Sequence, residues 1–200
     1  MLHEARRSIR SVYFVDSGLA SVLSVMRDGR CVEVGLVGKE GLVGMAVVSG
    51  FRKSFTRVIA QVDSTAFRLD ADVLLHLLAH SPELSRRLRL FSQVVAVEVA
   101  QLAACNGLHQ VAQRLARWLL MSQDRIGSKS LPLTQEFLAL MLGTRRSSVT
   151  LAAGVLQKAG IITYTRGNVA ILSRPALEAA ACECYQLIRQ YIEEEIGSGT

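Results

Sequence analysis

Apolar residues alternate with polar ones in the first third of the chain and recur every three or four positions after it, with the change near Asp70. Val12 and Phe14, and then Leu19, Ser21, Leu23 and Val25, keep a period of two, the signature of a strand with one face buried. Asp28-Gly29 is a tight-turn signal between that run and Val32-Glu33-Val34. Glycines follow at Gly35, Gly38, Gly41, Gly44 and Gly50, and Val58 to Val62 and Thr65 to Leu69 predict two further strands. Short strands separated by turn signals predict a small barrel or sandwich.

Beyond Asp70 the period becomes helical. Asp70 caps a short apolar helix, and Ser81-Pro82-Glu83 opens a long one that meets no Gly or Pro before Gly107. Leu84, Leu88, Phe91, Val95, Glu98, Leu102 and Cys105 are spaced alternately four and three, a heptad seam imperfect at Glu98. Val94, Val97 and Ala104 form a second apolar row beside it. Such a seam can pack on its own barrel or pair with a second copy. The length of the helix favours a dimer interface through Leu84, Leu88, Phe91, Val95 and Leu102. Asn106-Gly107 then predicts a break and a hinge. Helix resumes through Val111, Leu115, Trp118 and Leu119, and Gly127 to Ser130 is a loop. Two short helices follow, then a hairpin of Ile161 to Tyr164 and Val169 to Leu172, turning at Arg166-Gly167. Pro175 opens a final helix with Leu177, Ala181, Tyr185, Ile188 and Ile192 on one face. The organisation is α+β: a barrel over 1–80, a dimerisation helix over 81–107 and a C-terminal unit of helices and a hairpin over 108–200.

Half the residues are hydrophobic, enough for a sizeable core, and the net charge of +6 favours an acidic partner. The charge is concentrated. Between Leu108 and Arg174 there are nine basic residues and only two acidic ones, Asp124 and Glu136. The four cysteines, Cys31, Cys105, Cys182 and Cys184, are too scattered for a disulfide framework. Cys182 and Cys184 are too close for an intrahelical bridge and lack the spacing of a zinc site, so ordinary thiols and no metal are expected. There is no apolar run of about 18 residues, hence no expected membrane span. The start, MLHEARRSIR, has no signal-peptide core. A reducing cytoplasm fits these features.

The chemistry lies between Leu133 and Ala159. Thr134 caps a helix that buries Phe137, Leu138 and Met141, Gly143 permits a sharp turn, and Thr144 caps a second helix. That helix, about 145–158, offers Val149, Ala152, Ala153 and Leu156 as its buried face. Ala139, Gly143 and Val149 have helix-turn-helix spacing. Arg145 and Arg146 are cations at a helix N-terminus, where the dipole disfavours each by roughly 0.3–1 kcal/mol. Their presence makes sense opposite a polyanion, since Arg forks onto guanine in the major groove. Ser147 and Ser148 add hydroxyls for phosphate or base contact, and Arg166 and Asn168 at the hairpin tip can reach phosphates. Enzyme chemistry is not indicated. Gly35, Gly38, Gly41 and Gly44 lack the Gly-Lys-Ser/Thr ending of a phosphate loop, and no nucleophile–base pair is visible, so no catalytic residue is named. The alternative is a sensor of ligand or protein that does not bind DNA.

The order of barrel, long helix, helix-turn-helix and wing resembles the cyclic-AMP receptor / fumarate-nitrate regulator (Crp/Fnr) family of bacterial transcription factors. The stretches YFVDSGLASVLSVMRDGRCVEVGLVGKEGLVG and LPLTQEFLALMLGTRRSSVTLAAGVLQKAGIITYTRG carry the likeness, which spans essentially the whole chain. The resemblance implies a jelly-roll effector barrel, a homodimer on a two-fold symmetric operator, and RNA polymerase and a small-molecule effector as further partners. It places Arg146 at a base-reading position, Ser147 where a glutamate commonly reads cytosine, and Leu151 where a second arginine stands. Thr134, Gln135, Arg145 and Ser148 fall at phosphate-contacting positions. Members that bind cyclic nucleotides carry a glutamate shortly after a glycine and then an Arg-Ser/Thr pair. Here Met45 follows Gly44, and Lys53-Ser54 is the nearest substitute for the pair, so cyclic-nucleotide binding is not expected. An iron–sulfur cluster is not expected either, because the first thirty residues hold no cysteine. Haem is not expected: His3, His76, His80 and His109 are the candidate ligands, and nothing beyond their presence points to it. About two strands that usually precede this barrel are absent, and Arg6-Arg7 stand where a turn glycine is expected. An incomplete barrel, an upstream start or a covered edge would each account for that.

Overall fold

The computed structural model describes residues 1–165 and 167–196. Six strands build the N-terminal unit: β1 (Ser11–Ser17), β2 (Ala20–Val25), β3 (Cys31–Val37), β4 (Leu42–Val43), β5 (Arg57–Ala60) and β6 (Thr65–Asp70). They form two antiparallel sheets, ordered β4-β1-β6 and β3-β2-β5. Leu19, Ser21 and Leu23 are all buried, as their period of two requires. Arg6 takes the left-handed conformation (φ 64°), so the turn is made where its glycine is missing.

Helices α1 (Ala71–His80), α2 (Pro82–Leu108) and α3 (Val111–Ile126) follow. The C-terminal unit continues with β7 (Ser130–Pro132), α4 (Gln135–Met141), α5 (Arg146–Lys158), β8 (Ile162–Thr165), β9 (Asn168–Ile171), α6 (Arg174–Ala180) and α7 (Cys184–Ile196). Strand β7, which falls partly in the stretch expected to be a loop, adds to the hairpin in the order β7-β9-β8.

Three features differ from expectation. Helix α2 runs through Asn106-Gly107 and ends at Leu108, with His109 as its C-cap. One glycine costs a helix only about 1 kcal/mol relative to alanine, and the adjacent Cys105 is buried and accepts from His109 N at 3.1 Å, which keeps the segment helical. The heptad seam also faces inward. Leu88 and Phe91, each 7% exposed, pack with Ile9, Val12, Leu42 and Leu74, and Leu84 and Val95 lie against the same cluster. Leu88 and Phe91 have little surface left for a partner, whereas Leu84, Val95 and Leu102 are half-buried. The outward face instead carries Gln93, Ala96, Ala100, Ala103 and Gly107. Finally, the last helix is two: the chain leaves α6 at Ala181 and re-enters helix at Cys184.

By length and composition α2 also matches a membrane span, with an 18-residue window of mean hydropathy 1.4. In the fold its apolar face lies on the barrel, and Glu98, the break in the seam, is buried in an ion pair with Arg125 at 2.8 Å.

The two units share one core. Leu19, Leu23 and Leu36 of the barrel join Leu115, Trp118, Leu119, Leu138, Val149 and Leu156. Two polar ties cross the junction. Trp118 Nε1 donates to Glu33 Oε1 at 2.6 Å. Arg125 Nε donates to Glu40 at 2.7 Å while its other arm reaches Glu98. Gly38 is needed for this approach, because a Cβ there would come within 2.9 Å of Arg125 Cβ.

Candidate nucleic-acid interface

Thr134 starts α4 by accepting a hydrogen bond from Phe137 N at 3.1 Å, as its position in the sequence predicts. Leu138, Ala139 and Met141 then turn inward. Gly143 adopts φ 56°, and a Cβ there would lie 2.7 Å from Val32 Cγ2, so both backbone and space require glycine. The N-cap of α5 is Arg145 rather than Thr144. Thr144 is still completing the turn, its N–H donating to Ala139 O at 3.0 Å.

Helix α5 buries Val149, Ala152, Ala153 and Leu156 and presents Arg145, Arg146, Ser147, Thr150, Leu151 and Val155 to solvent. Leu151 is 74% and Val155 59% exposed, and at a spacing of four they lie together on the outward face of α5. Neither Thr150 nor Val155 was singled out from sequence. Both follow from reading outward the positions that alternate with the buried face. Arg146 Nη1 meets Glu136 Oε1 at 3.2 Å, with both side chains in solvent, so the pair is weak and displaceable. Gln135 Oε1 accepts from Thr150 Oγ1 at 2.9 Å and ties the two helices. Ser148 is half-buried at the start of α5.

The hairpin β8–β9 lies beside α5. Tyr164 donates to Leu133 O at 2.9 Å. Burial raises its pKa, and the nearby positive charge of Arg146 works in the other direction. Asn168 exchanges hydrogen bonds with Ser130, its Nδ2 donating to Ser130 Oγ at 2.8 Å, so it braces the sheet instead of standing free at the tip. Arg166 lies outside the described residues.

The basic segment is less available than its composition suggests. Arg114 and Arg117 are buried, Arg114 donating to Leu142 O and Arg117 to Met121 Sδ. Arg125 is paired with Glu40 and Glu98, and Arg174 with Asp124 and Glu178. Lys129, Arg145, Arg146 and Lys158 remain exposed.

Away from this surface, Cys105, His109, Cys182 and Cys184 each place one ligand atom within 4.8 Å of the others. They meet where the end of α2 touches the start of α7, whereas their spacing along the sequence predicts separate thiols and no metal. In the barrel, a cavity of about 370 Å³ opens between β3, β4 and α2. Its lining is mainly apolar, including Val34, Leu36, Met45 and Val95, with His3 and Glu98 as its ionisable members. Burial lowers the His3 pKa, only partly offset by its contact with Ser11 O at 2.8 Å.

A helix pair joined by a left-handed glycine, an exposed cationic helix start and an adjoining hairpin define a winged helix-turn-helix regulator that binds DNA. Residues 1–81 match the cyclic nucleotide-binding domain and residues 113–180 the Crp-like helix-turn-helix domain. The chain belongs to the Crp/Fnr family of DNA-binding transcription regulators. FixK2 from Bradyrhizobium japonicum superposes with a TM-score of 0.77 at 16% identity, over 90% of this chain and 92% of its own. TTHB099, a transcriptional regulator of the CRP family from Thermus thermophilus, gives 0.68 at 23% identity over 90% and 92%. The c-di-GMP-responsive global regulator CLP from Xanthomonas campestris gives 0.68 at 16% over 86% and 92%. At these identities the solved structures speak for the fold. No curated protein sequence matches the chain significantly.

Proposed function

We propose that the chain regulates transcription as a homodimer on a two-fold symmetric operator, with α5 in the major groove. The observation that carries this reading is the outer face of α5, where two exposed arginines begin a helix whose remaining outward residues make no contact with the chain's own core. Arg146 is suited to fork onto guanine, and Arg145, Ser148, Thr134, Gln135 and Lys129 to hold phosphates. Ser147 offers a hydroxyl in place of a carboxylate. Leu151 and Val155 suit the methyl group of thymine, which predicts a site richer in A·T pairs opposite the middle of α5. The second copy is placed on the outward face of α2, where Ala96, Ala100, Ala103 and Gly107 permit close helix approach.

Genomic footprinting defines the operator, and a gel shift on that duplex tests the reading. Arg146→Ala is expected to weaken specific binding by about 1–3 kcal/mol and to relax selectivity at one base pair in each half-site. Wild-type affinity should fall steeply with salt as phosphate contacts release counterions. Equal, salt-insensitive binding of both proteins to operator and random DNA would remove the regulator reading in favour of a sensor.

The barrel cavity supports an uncharged, largely apolar effector. Among the described residues no Lys or Arg lines it, so a cyclic phosphate would lie there without a cation. Isothermal titration with cyclic AMP and cyclic GMP is expected to give no saturable heat at micromolar ligand; clear micromolar binding overturns this assignment.

A further inference from the structure

The Cys105, His109, Cys182 and Cys184 cluster has the composition and dimensions of a closed metal centre. Cys105 and His109 lie four residues apart on the last turn of α2 and its cap, so they project from one side of the helix. Cys182 comes from the break between α6 and α7, and Cys184 is the first residue of α7. The break carries the argument. In a continuous helix residues 182 and 184 would point some 200° apart, whereas here both sulfurs face the same two ligands. Cys105 Sγ is 3.5 Å from Cys182 Sγ, and Cys184 Sγ is 3.5 Å from His109 Nδ1. Zinc–sulfur bonds of about 2.3 Å and zinc–nitrogen bonds of about 2.0–2.1 Å place tetrahedral donors roughly 3.5–3.8 Å apart. These two separations match that range and the other pairs lie within 4.8 Å, so the four atoms have the spacing to close on a single ion. A polynuclear iron–sulfur cluster would need its thiolates further apart.

The surroundings also fit a charged centre. All three cysteines are buried. Gln101 Nε2 donates to Cys184 Sγ at 3.1 Å, an outer contact that steadies a thiolate. Cys184 sits at the N-terminus of a 13-residue helix, where the dipole favours negative sulfur. Arg114 and Arg117 are buried beside the cluster and their charges act on Cys105. The Nε of each has no hydrogen-bond partner. Three thiolates, one neutral imidazole and a divalent ion leave one net negative charge, which these arginines offset.

We propose that Cys105, His109, Cys182 and Cys184 bind one zinc ion per chain and that this ion staples the end of the long helix α2 to helix α7 of the DNA-binding unit. All four positions are filled by protein, so the site is structural, with no open place for substrate. Soft thiolates with one imidazole select zinc over hard divalent cations. Metal binding here is coupled to docking of α7 on α2 and should stabilise the fold.

The test uses the full chain, purified reduced from zinc-supplemented cells. Plasma mass spectrometry is expected to find one zinc per chain, and cobalt exchange to give the intense visible bands of a tetrahedral thiolate site. A zinc-competition assay should show Cys182→Ser and Cys184→Ser weakening affinity by more than the roughly 10–100-fold that loss of an outer partner costs. Cys31→Ser, outside the cluster, should leave metal content unchanged. Because serine in a buried site can unfold the chain, circular dichroism accompanies each variant, and His109→Gln at the half-buried ligand gives a milder second probe. Four results overturn the proposal: zinc content that these variants do not alter, folded reduced protein that takes up neither zinc nor cobalt, a Cys105–Cys182 disulfide as the resident state, or an iron–sulfur chromophore. None of these readouts involves DNA, so failure here leaves the regulator reading standing.

Discussion

Arg125→Ala is expected to destabilise the chain by about 3–5 kcal/mol, the range found when one partner of a buried ion pair is removed. Arg125 is almost fully buried and holds Glu40 of the barrel and Glu98 of α2 together. Burial tends to lower the Arg125 pKa, but Glu98 and Glu40 more than offset it and leave the value raised. Glu98 is raised as well, because burial outweighs its attraction to Arg125. Without the arginine, Glu98 must carry an uncompensated buried charge or take up a proton. The folded pKa of Glu98 in the variant then rises further above its unfolded value, so stability present at low pH is lost as pH increases. Urea denaturation should show a larger defect at about pH 8 than at about pH 5. Adding Glu98→Gln to Arg125→Ala should recover a substantial part of the loss, since removing both charges is far less costly than orphaning one. A double variant no more stable than the single one would show that the effect comes from lost packing instead.

Glu33→Gln should change the pH dependence of stability by up to about 3 kcal/mol. Burial pushes the Glu33 carboxyl up to about 7, against the opposing effects of the neighbouring Ser21 hydroxyl, the Trp118 hydrogen bond and the charges of Arg117 and Arg125. One carboxylate oxygen has no hydrogen-bond partner. The folded form holds its proton more tightly than the unfolded form, whose pKa is the ordinary 4.5. The contribution to stability is therefore complete below about pH 4.5 and is lost as pH rises to about 7, at about 1.4 kcal/mol per pKa unit. Glutamine keeps an acceptor for Trp118 Nε1 and carries no charge. The variant should equal or trail the wild type in acid and exceed it near pH 8. Parallel stability curves for the two proteins between pH 5 and 8 would exclude Glu33 as a titrating group.

Residues that act locally were the legible ones. Thr134 as a cap, Gly143 as a left-handed turn, the buried row Val149 to Leu156 and the Asp28-Gly29 hairpin are set by backbone geometry and spacing within about ten residues. Arg145 and Arg146 stood out because they oppose the helix dipole, an anomaly visible without coordinates. Leu84, Leu88, Phe91 and Val95 show the opposite case. A heptad pattern specifies that one face of a helix is apolar but does not say whether a barrel or a second helix covers it. For Leu88 and Phe91 the barrel residues Ile9, Val12 and Leu42 form that cover. Charge behaved similarly: the nine basic residues of the C-terminal segment gave the correct sign for the partner, yet Arg114 and Arg117 are buried and Arg125, Arg174 and, more loosely, Arg146 are ion-paired within the chain.

The sequence by itself determined the strand-then-helix order, the helix-turn-helix and the cationic start of α5, because those depend on period, capping and local dipoles. Only the tertiary structure decided which face of α2 stays free, how Glu33 and Arg125 join the two units, and that Cys105, His109, Cys182 and Cys184 converge. Cys105 and Cys182 are 77 residues apart, and the break before Cys184 follows no strong local signal. Their meeting is a product of helix packing, which no spacing along the chain encodes.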